Sequence, residues 1–137
     1  MEPSLLYAVK QVELAVRARL DELLRPHGLT TATYTALTVL ERRDGLSTAE
    51  LARNSFVTPQ AMADIVAALE GRGLIHRSPD PGHGRRLRTC LTAAGRRQLA
   101  AVAGEVGALE ERMVADLSAE QRAALRAALN SCRAALT

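Results

Sequence analysis

Only two cysteines occur in the sequence, Cys90 and Cys132. They lie too far apart for a CxxC pair and are too few for a disulfide framework or a four-ligand zinc site, which argues against a structural metal and against a secreted, bridge-stapled scaffold. Long hydrophobic runs are equally scarce. Charge interrupts every apolar stretch well short of the ~20 residues a membrane-spanning helix needs, and the opening MEPSLLYAVK lacks the basic region of a signal peptide, so a soluble, cytoplasmic chain with no membrane partner is expected. Lysine occurs once, at Lys10, against 17 arginines. A GC-rich coding sequence produces that bias as readily as function does, so alone it decides nothing. The three histidines, His27, His76 and His83, are scattered, and there is no Gly-rich phosphate loop, Ser/His/Asp order, HExxH or paired-carboxylate motif. The expectation is a protein that is not an enzyme, with no catalytic residues, metal or cofactor.

What is present is ordinary in amount and uneven in placement. The 137 residues, 47% hydrophobic and 24% charged, suit one domain with a core of its own. The net charge of +3 conceals an asymmetry: from Arg72 to Arg97 there are seven arginines and one acid, Asp80, so this segment carries +6 and the other 111 residues carry −3. A basic island on a mildly acidic chain suits the neutralisation of a polyanion, whereas a solvated face usually mixes both signs.

Helical periodicity begins at Ser4, a candidate N-cap, with Leu5, Val9, Val12, Val16, Leu20 and Leu23 tracing one apolar stripe that stops at Arg25-Pro26-His27-Gly28. Thr30 can cap a second helix through Tyr34, Leu37 and Leu40 to about Asp44-Gly45. Ser47-Thr48-Ala49-Glu50 reads as a capping box opening a short third helix to about Arg53, and Asn54 to Val57 make a tight connection. Thr58-Pro59 then place an N-cap before a proline at the first helical position, starting a fourth helix to about Gly71 with Met62, Ile65, Val66 and Leu69 inward. Beyond Gly73 the period changes to two strands, Leu74 to Ser78 and Arg86 to Leu91, around a turn spanning Pro79 to Gly84. Thr92 caps a long fifth helix, and Ser118-Ala119-Glu120-Gln121 opens a sixth.

Two short helices joined by a tight turn, with a basic hairpin after the second, read as a winged helix-turn-helix within a mainly α fold. The small groups at the start of the fourth helix let it enter a major groove about 12 Å wide. On this reading Gln60 can pair with adenine, Ala61 can meet a thymine methyl, and Ser55 and Thr58 suit phosphate oxygens. Thr58 is a helix cap whatever else it does, and Gln60 taken alone could equally be a solvated first-turn residue. Arg77, Arg85 and Arg86 supply the basic hairpin, Arg85 and Arg86 being able to reach a minor groove whose negative potential favours guanidinium. Asp64 shares the DNA-facing side with Gln60. It either accepts from cytosine N4 or brakes binding by repelling phosphate, and the second reading is preferred because carboxylate readout of cytosine is uncommon.

Gly28-Leu29-Thr30, Leu51-Ala52, the run Leu69-Glu70-Gly71-Arg72-Gly73-Leu74-Ile75, and Gly84-Arg85-Arg86 followed by Leu91-Thr92-Ala93-Ala94-Gly95 occur in an order and spacing that resembles the MarR (multiple antibiotic resistance regulator) family over nearly the whole chain. The resemblance implies a single family-type domain over 1–137, with a DNA-binding lobe at 30–92 and dimerisation helices at 4–25 and 93–137. It also implies a homodimer, a palindromic operator in double-stranded DNA, and relief of repression by a small aromatic or phenolic effector or by an oxidant. Two positions depart from the family pattern. His83 stands where an aspartate usually orients the wing arginine, and Asp64 where relatives often carry Arg or Asn.

Dimerisation also follows from the operator logic, since two recognition helices must sit one DNA turn apart, ~34–36 Å. An effector pocket is expected where the first two helices diverge, lined by Val16, Leu20, His27 and Tyr34, although His27 reads equally as a loop residue bonded to backbone. The alternative function is an effector-independent, nucleoid-type DNA-binding module. Cys90, on the polar face of its strand, and Cys132, late in the last helix, read as incidental, because the peroxide-sensing branch of the family uses a cysteine near the first helix and none precedes Cys90.

Overall fold

The computed structural model describes residues 1–137, the side chain of His83 excepted. Six α-helices and one two-stranded sheet follow the order α1 (Leu5–Leu24), α2 (Thr31–Arg42), α3 (Thr48–Asn54), α4 (Pro59–Gly71), β1 (Ile75–Asp80), β2 (His83–Leu91), α5 (Ala93–Met113) and α6 (Ala119–Leu136). The helices start where short polar side chains can serve orphaned backbone N–H groups. Ser4 Oγ accepts from the Tyr7 N–H at 3.1 Å, and reciprocal capping boxes join Thr30 with Thr33, Ser47 with Glu50 and Ser118 with Gln121. The first helix ends in one 3-10 turn, Arg25–His27, closed by Gly28 in the left-handed region at φ 72°.

Long-range hydrogen bonds fasten these helices to one another. Asp21 of α1 accepts both the Thr31 N–H (2.9 Å) and the Thr31 hydroxyl (2.7 Å), placing a carboxylate at the N-terminus of α2. These bonds hold the Asp21 carboxyl below the usual range. From the C-cap of α4, Arg72 donates to the carbonyls of Gly28 (2.7 Å) and His27 (3.3 Å), so one cation of the basic island serves the connection between α1 and α2.

The hairpin is longer than the local turn signals predict. Its turn is reduced to Pro81 and Gly82, while Pro79, Asp80, His83 and Gly84 belong to the strands, with a register shift between Pro79 and Asp80. Asp80 Oδ1 accepts the Gly82 N–H at 3.0 Å, which tightens the reversal. A further pairing was not legible in the sequence: Leu46, in the α2–α3 connection, bridges to Thr89 in antiparallel fashion. The Thr89 N–H donates to the Leu46 carbonyl at 2.8 Å, and Asp44 Oδ1 accepts the Leu91 N–H at 3.0 Å. The base of the wing is thereby stitched to the helices before it.

The chain forms two compact units, Met1–Gly104 and Glu105–Thr137. The first holds the core, built around Leu24, Leu37, Leu40, Leu51, Met62, Val66, Leu69 and Ile75. It extends past the boundary expected near residue 92, because Gly95, Leu99 and Val102 of α5 are buried within it. The second unit contains the end of α5 and α6, where Arg122 pairs with Glu111 (3.1 Å) and donates to the Leu117 carbonyl (3.1 Å). Each unit leaves apolar side chains in solvent: Leu5, Leu6, Tyr7, Val9, Val12 and Leu14 on α1, and Leu125, Leu129 and Leu136 on α6.

Between α3 and α4 the backbone is strained. Phe56 adopts φ 62°, the only non-glycine in the left-handed region among the described residues, and the residue is 90% exposed. It follows the C-cap of α3, where glycine is the usual occupant. Phe56→Gly is therefore expected to raise stability by about 0.5–1 kcal/mol, the relieved strain exceeding the entropy added to the unfolded chain. Denaturant titration checks this, and a loss of stability would mean that the ring packs in solution.

Candidate nucleic-acid interface

The outward face of α4 follows from its cap. Thr58 Oγ1 accepts the Ala61 N–H at 3.1 Å, and Pro59 occupies the first helical position, where no N–H is needed. Burial of Met62, Val66 and Leu69 then turns Gln60, Ala61, Asp64, Ala67 and Ala68 to solvent. The face is low in profile, since three of its five residues are alanine, and a groove floor can approach it closely. Thr58, capped through its acceptor lone pairs, keeps its O–H to donate to a phosphate oxygen.

Ser55 does not join this face. As the C-cap of α3 it turns inward, is 4% exposed, and holds its Oγ with no hydrogen-bond partner, so the expected phosphate contact is corrected to a buried position beneath the turn. Sequence reasoning missed this because the direction of a cap side chain depends on the packing around it.

The arginines of the hairpin divide by partner. Arg77 donates to Glu70 of α4 at 2.8 and 3.4 Å, which lowers the Glu70 carboxyl and raises the Arg77 guanidinium from their ordinary values. Arg86 pairs with Glu50, the capping-box acid of α3, and its Nε lies 3.9 Å from Asp80 Oδ2. Both residues are thus committed to holding the wing against helices rather than presented for a groove. Glu50 and Glu70 come from outside the basic segment, so they cut its local excess from six charges to four. Arg85 has no ion pair among the described residues and stands exposed near the tip. The Arg86 pairing also bears on the departure at position 83. The side chain of His83 lies outside the described residues, but Asp80 on the facing strand places a carboxylate near the wing arginines.

Asp64 is exposed and forms no ion pair among the described residues. On a surface facing phosphates such a charge repels. Asp64→Ala is expected to raise affinity for operator and scrambled DNA alike by roughly 0.5–1 kcal/mol per subunit, a gain that shrinks as salt is added. Titration of both duplexes at two salt concentrations checks it, and a loss confined to the operator would instead assign Asp64 to base readout.

A cleft of about 390 Å³ lies in the first unit between α1, the start of α2 and the α3–α4 turn, lined by Glu13, Arg17 and Asp21 and by Thr30, Thr31, Ala32, Thr35, Ser55, Phe56 and Val57. Val16, Leu20, His27 and Tyr34 are half-buried and do not line it. The cleft uses the α1 face spaced 13, 17, 21; Val16 and Leu20 each precede a lining residue by one position, about 100° round the helix. Tyr34 stands in the same relation to Thr35. Cys90 is half-buried and Cys132 exposed, both as free thiols.

Among the described residues no helix is long and apolar enough to cross a membrane, and no group of three His, Cys, Asp or Glu could hold a metal ion. A sequence profile of the MarR family matches residues 27–86. Over 116 residues the chain is 37% identical to the HTH-type transcriptional repressor Rv2887 of Mycobacterium tuberculosis strain H37Rv, an alignment covering 85% of this chain and 84% of that protein. Its fold is similar to two crystal structures of Rv2887. The complex with salicylic acid matches with a TM-score of 0.78 and 34% identity over 96% of this chain and 97% of that one. The complex with DNA matches with a TM-score of 0.78 and 32% identity over 96% and 98%. With the capped α4, the stitched wing and this extent of likeness together, the chain belongs to the MarR family.

Proposed function

We propose that the protein is a transcriptional repressor that binds a palindromic operator in double-stranded DNA as a homodimer and is released by a small-molecule effector. The observation that carries this reading is the union, in one compact unit, of the small-residue outer face of α4 with a wing whose tip cation, Arg85, has no ion pair among the described residues. Thr58 and Arg85 contact phosphate or minor groove, and Gln60 and Ala61 meet base edges, while Arg77 and Arg86 hold the wing in position. The existence of Rv2887 complexes with DNA and with salicylic acid supports both halves of the proposal. The exposed apolar residues of α1 and α6 support dimerisation, with 4–25 and 93–137 as the joining helices, because apolar patches of that kind are interface material. Such a protein acts in the cytoplasm, and none of its proposed roles requires catalysis.

Footprinting the protein on the DNA upstream of its own gene tests the proposal. An inverted repeat with half-sites about 10 bp apart is expected, protected by a species that sediments as a dimer at micromolar concentration. A monomer in ultracentrifugation, or protection without two-fold symmetry, would overturn it.

A further inference from the structure

The C-terminal end of α4 is held from two directions by bonds that DNA contact does not use. Arg72, its C-cap, donates from Nη1 to the Gly28 carbonyl (2.7 Å) and from Nη2 to the His27 carbonyl (3.3 Å), across 44 and 45 positions of sequence. Both carbonyls belong to the 3-10 turn that closes α1, where the partial negative charge of a helix C-terminus attracts a cation. Gly28 makes room for the contact. A Cβ there would lie 3.2 Å from Arg72 Nη2 and 3.3 Å from Nη1. The next residue, Gly73, accepts the Thr92 hydroxyl at its carbonyl (2.7 Å), and Thr92 Oγ1 accepts the Gly95 N–H at the start of α5 (3.0 Å). The two residues that follow α4 are thus tied to the end of α1 and the beginning of α5, both helices that the dimer reading assigns to the join between subunits.

We propose that Arg72 is a positioning residue for operator recognition: without touching DNA, it sets the tilt of α4 against α1 and so the half-site spacing that the dimer accepts. The inference rests on the reading of the protein as a dimeric repressor and names a determinant of its specificity. Burial of Met62, Val66 and Leu69 fixes the depth of α4 in the core, but apolar contact is non-directional and leaves the tilt to polar ties. A guanidinium fork suits this task, because two N–H groups on a rigid plane fix direction as well as distance. Gln60 lies 12 positions from Arg72, roughly 18 Å along α4. A tilt of about 5° over that length moves one end by about 1.5 Å, more than a base-edge hydrogen bond tolerates.

The test compares the full-length protein with Arg72→Ala and Arg72→Lys. Each is titrated by fluorescence anisotropy, over a range of salt, against the footprinted operator, the same operator with one base pair added or removed at its centre, and a scrambled duplex. One base pair moves the second half-site by about 3.4 Å and turns it by about 35°, so the unsubstituted protein should discriminate against both altered operators. Arg72→Ala is expected to lose about five- to tenfold in affinity for the operator and to narrow the spacing preference by a similar factor, leaving scrambled-DNA affinity and the salt slope unchanged. Arg72→Lys, which keeps the charge but not the fork, should fall between the two. Thermal melts by circular dichroism establish that each variant is folded at the titration temperature, and if Arg72→Ala is not, the lysine variant carries the comparison. Equal losses on operator and scrambled DNA with a lower salt slope would make Arg72 a phosphate contact and overturn the proposal. A spacing preference that neither substitution moves overturns it too. Failure of the unsubstituted protein to protect an inverted repeat overturns the repressor reading, and this inference with it, before any variant is compared.

Discussion

Arg85→Ala is expected to weaken operator binding by about 2–3 kcal/mol per dimer and to lower the slope of log K against log salt by about 1–2, because each subunit loses one groove or phosphate contact. The magnitude follows from the partition of charges in the wing. Arg77 and Arg86 are neutralised locally by Glu70 and Glu50, so Arg85 is the hairpin cation near the tip whose field is not cancelled by a neighbour. Melting temperature should hardly change, since the side chain is exposed and makes no ion pair among the described residues. Arg86→Ala makes the contrast. It frees Glu50 and loosens the wing from α3, so a loss of affinity there comes with a loss of stability. Anisotropy titrations over a range of salt, run beside thermal melts, separate the two. Unchanged affinity and slope for Arg85→Ala would show that the wing tip does not touch DNA.

Gly95→Ala should be the most damaging single methyl in the first unit. A Cβ at this position would lie 2.3 Å from the Leu74 carbonyl oxygen and 2.7 Å from Leu91 Cδ1. The nearer atom is backbone at the root of the wing and cannot rotate aside. Overpacking of this kind costs about 2–3 kcal/mol, a large share of the margin of a small protein. The same helix supplies its own control. At Gly104 an added Cβ meets nothing within 4 Å, so Gly104→Ala is expected to stabilise by about 0.5–1 kcal/mol through helix propensity. Denaturant midpoints of the two variants should therefore move in opposite directions, and a neutral Gly95→Ala would contradict the close approach of α5 to the wing.

These two substitutions also mark how far the sequence could be read. Thr58-Pro59, the Ser47–Glu50 box and the Ser118–Gln121 box lie within three residues of the groups they satisfy, so the starts of α3, α4 and α6 were legible from spacing alone. The hairpin was legible as a hairpin but not in length. Pro79 and Gly84 are local turn signals, yet pairing across the strands carries β structure through both. Phe56 gave no warning of its left-handed backbone, since the residue that normally announces that conformation is glycine.

The basic island was visible as composition, and the outward face of α4 as periodicity; both depend on neighbours within a turn or two of chain. Which arginine remains available to DNA was not visible, because ion pairing depends on distances of a few ångströms between residues far apart in sequence. Glu50 and Arg86 are 36 positions apart, and nothing in their local sequences joins them. The same holds for the cleft. Its α1 residues follow a helical spacing, but Ser55 and Phe56 reach it only because the turn after α3 folds back against α1 and α2. The sequence by itself determined the elements, their caps and the excess of positive charge, and tertiary packing alone decided which charges cancel and which stay exposed.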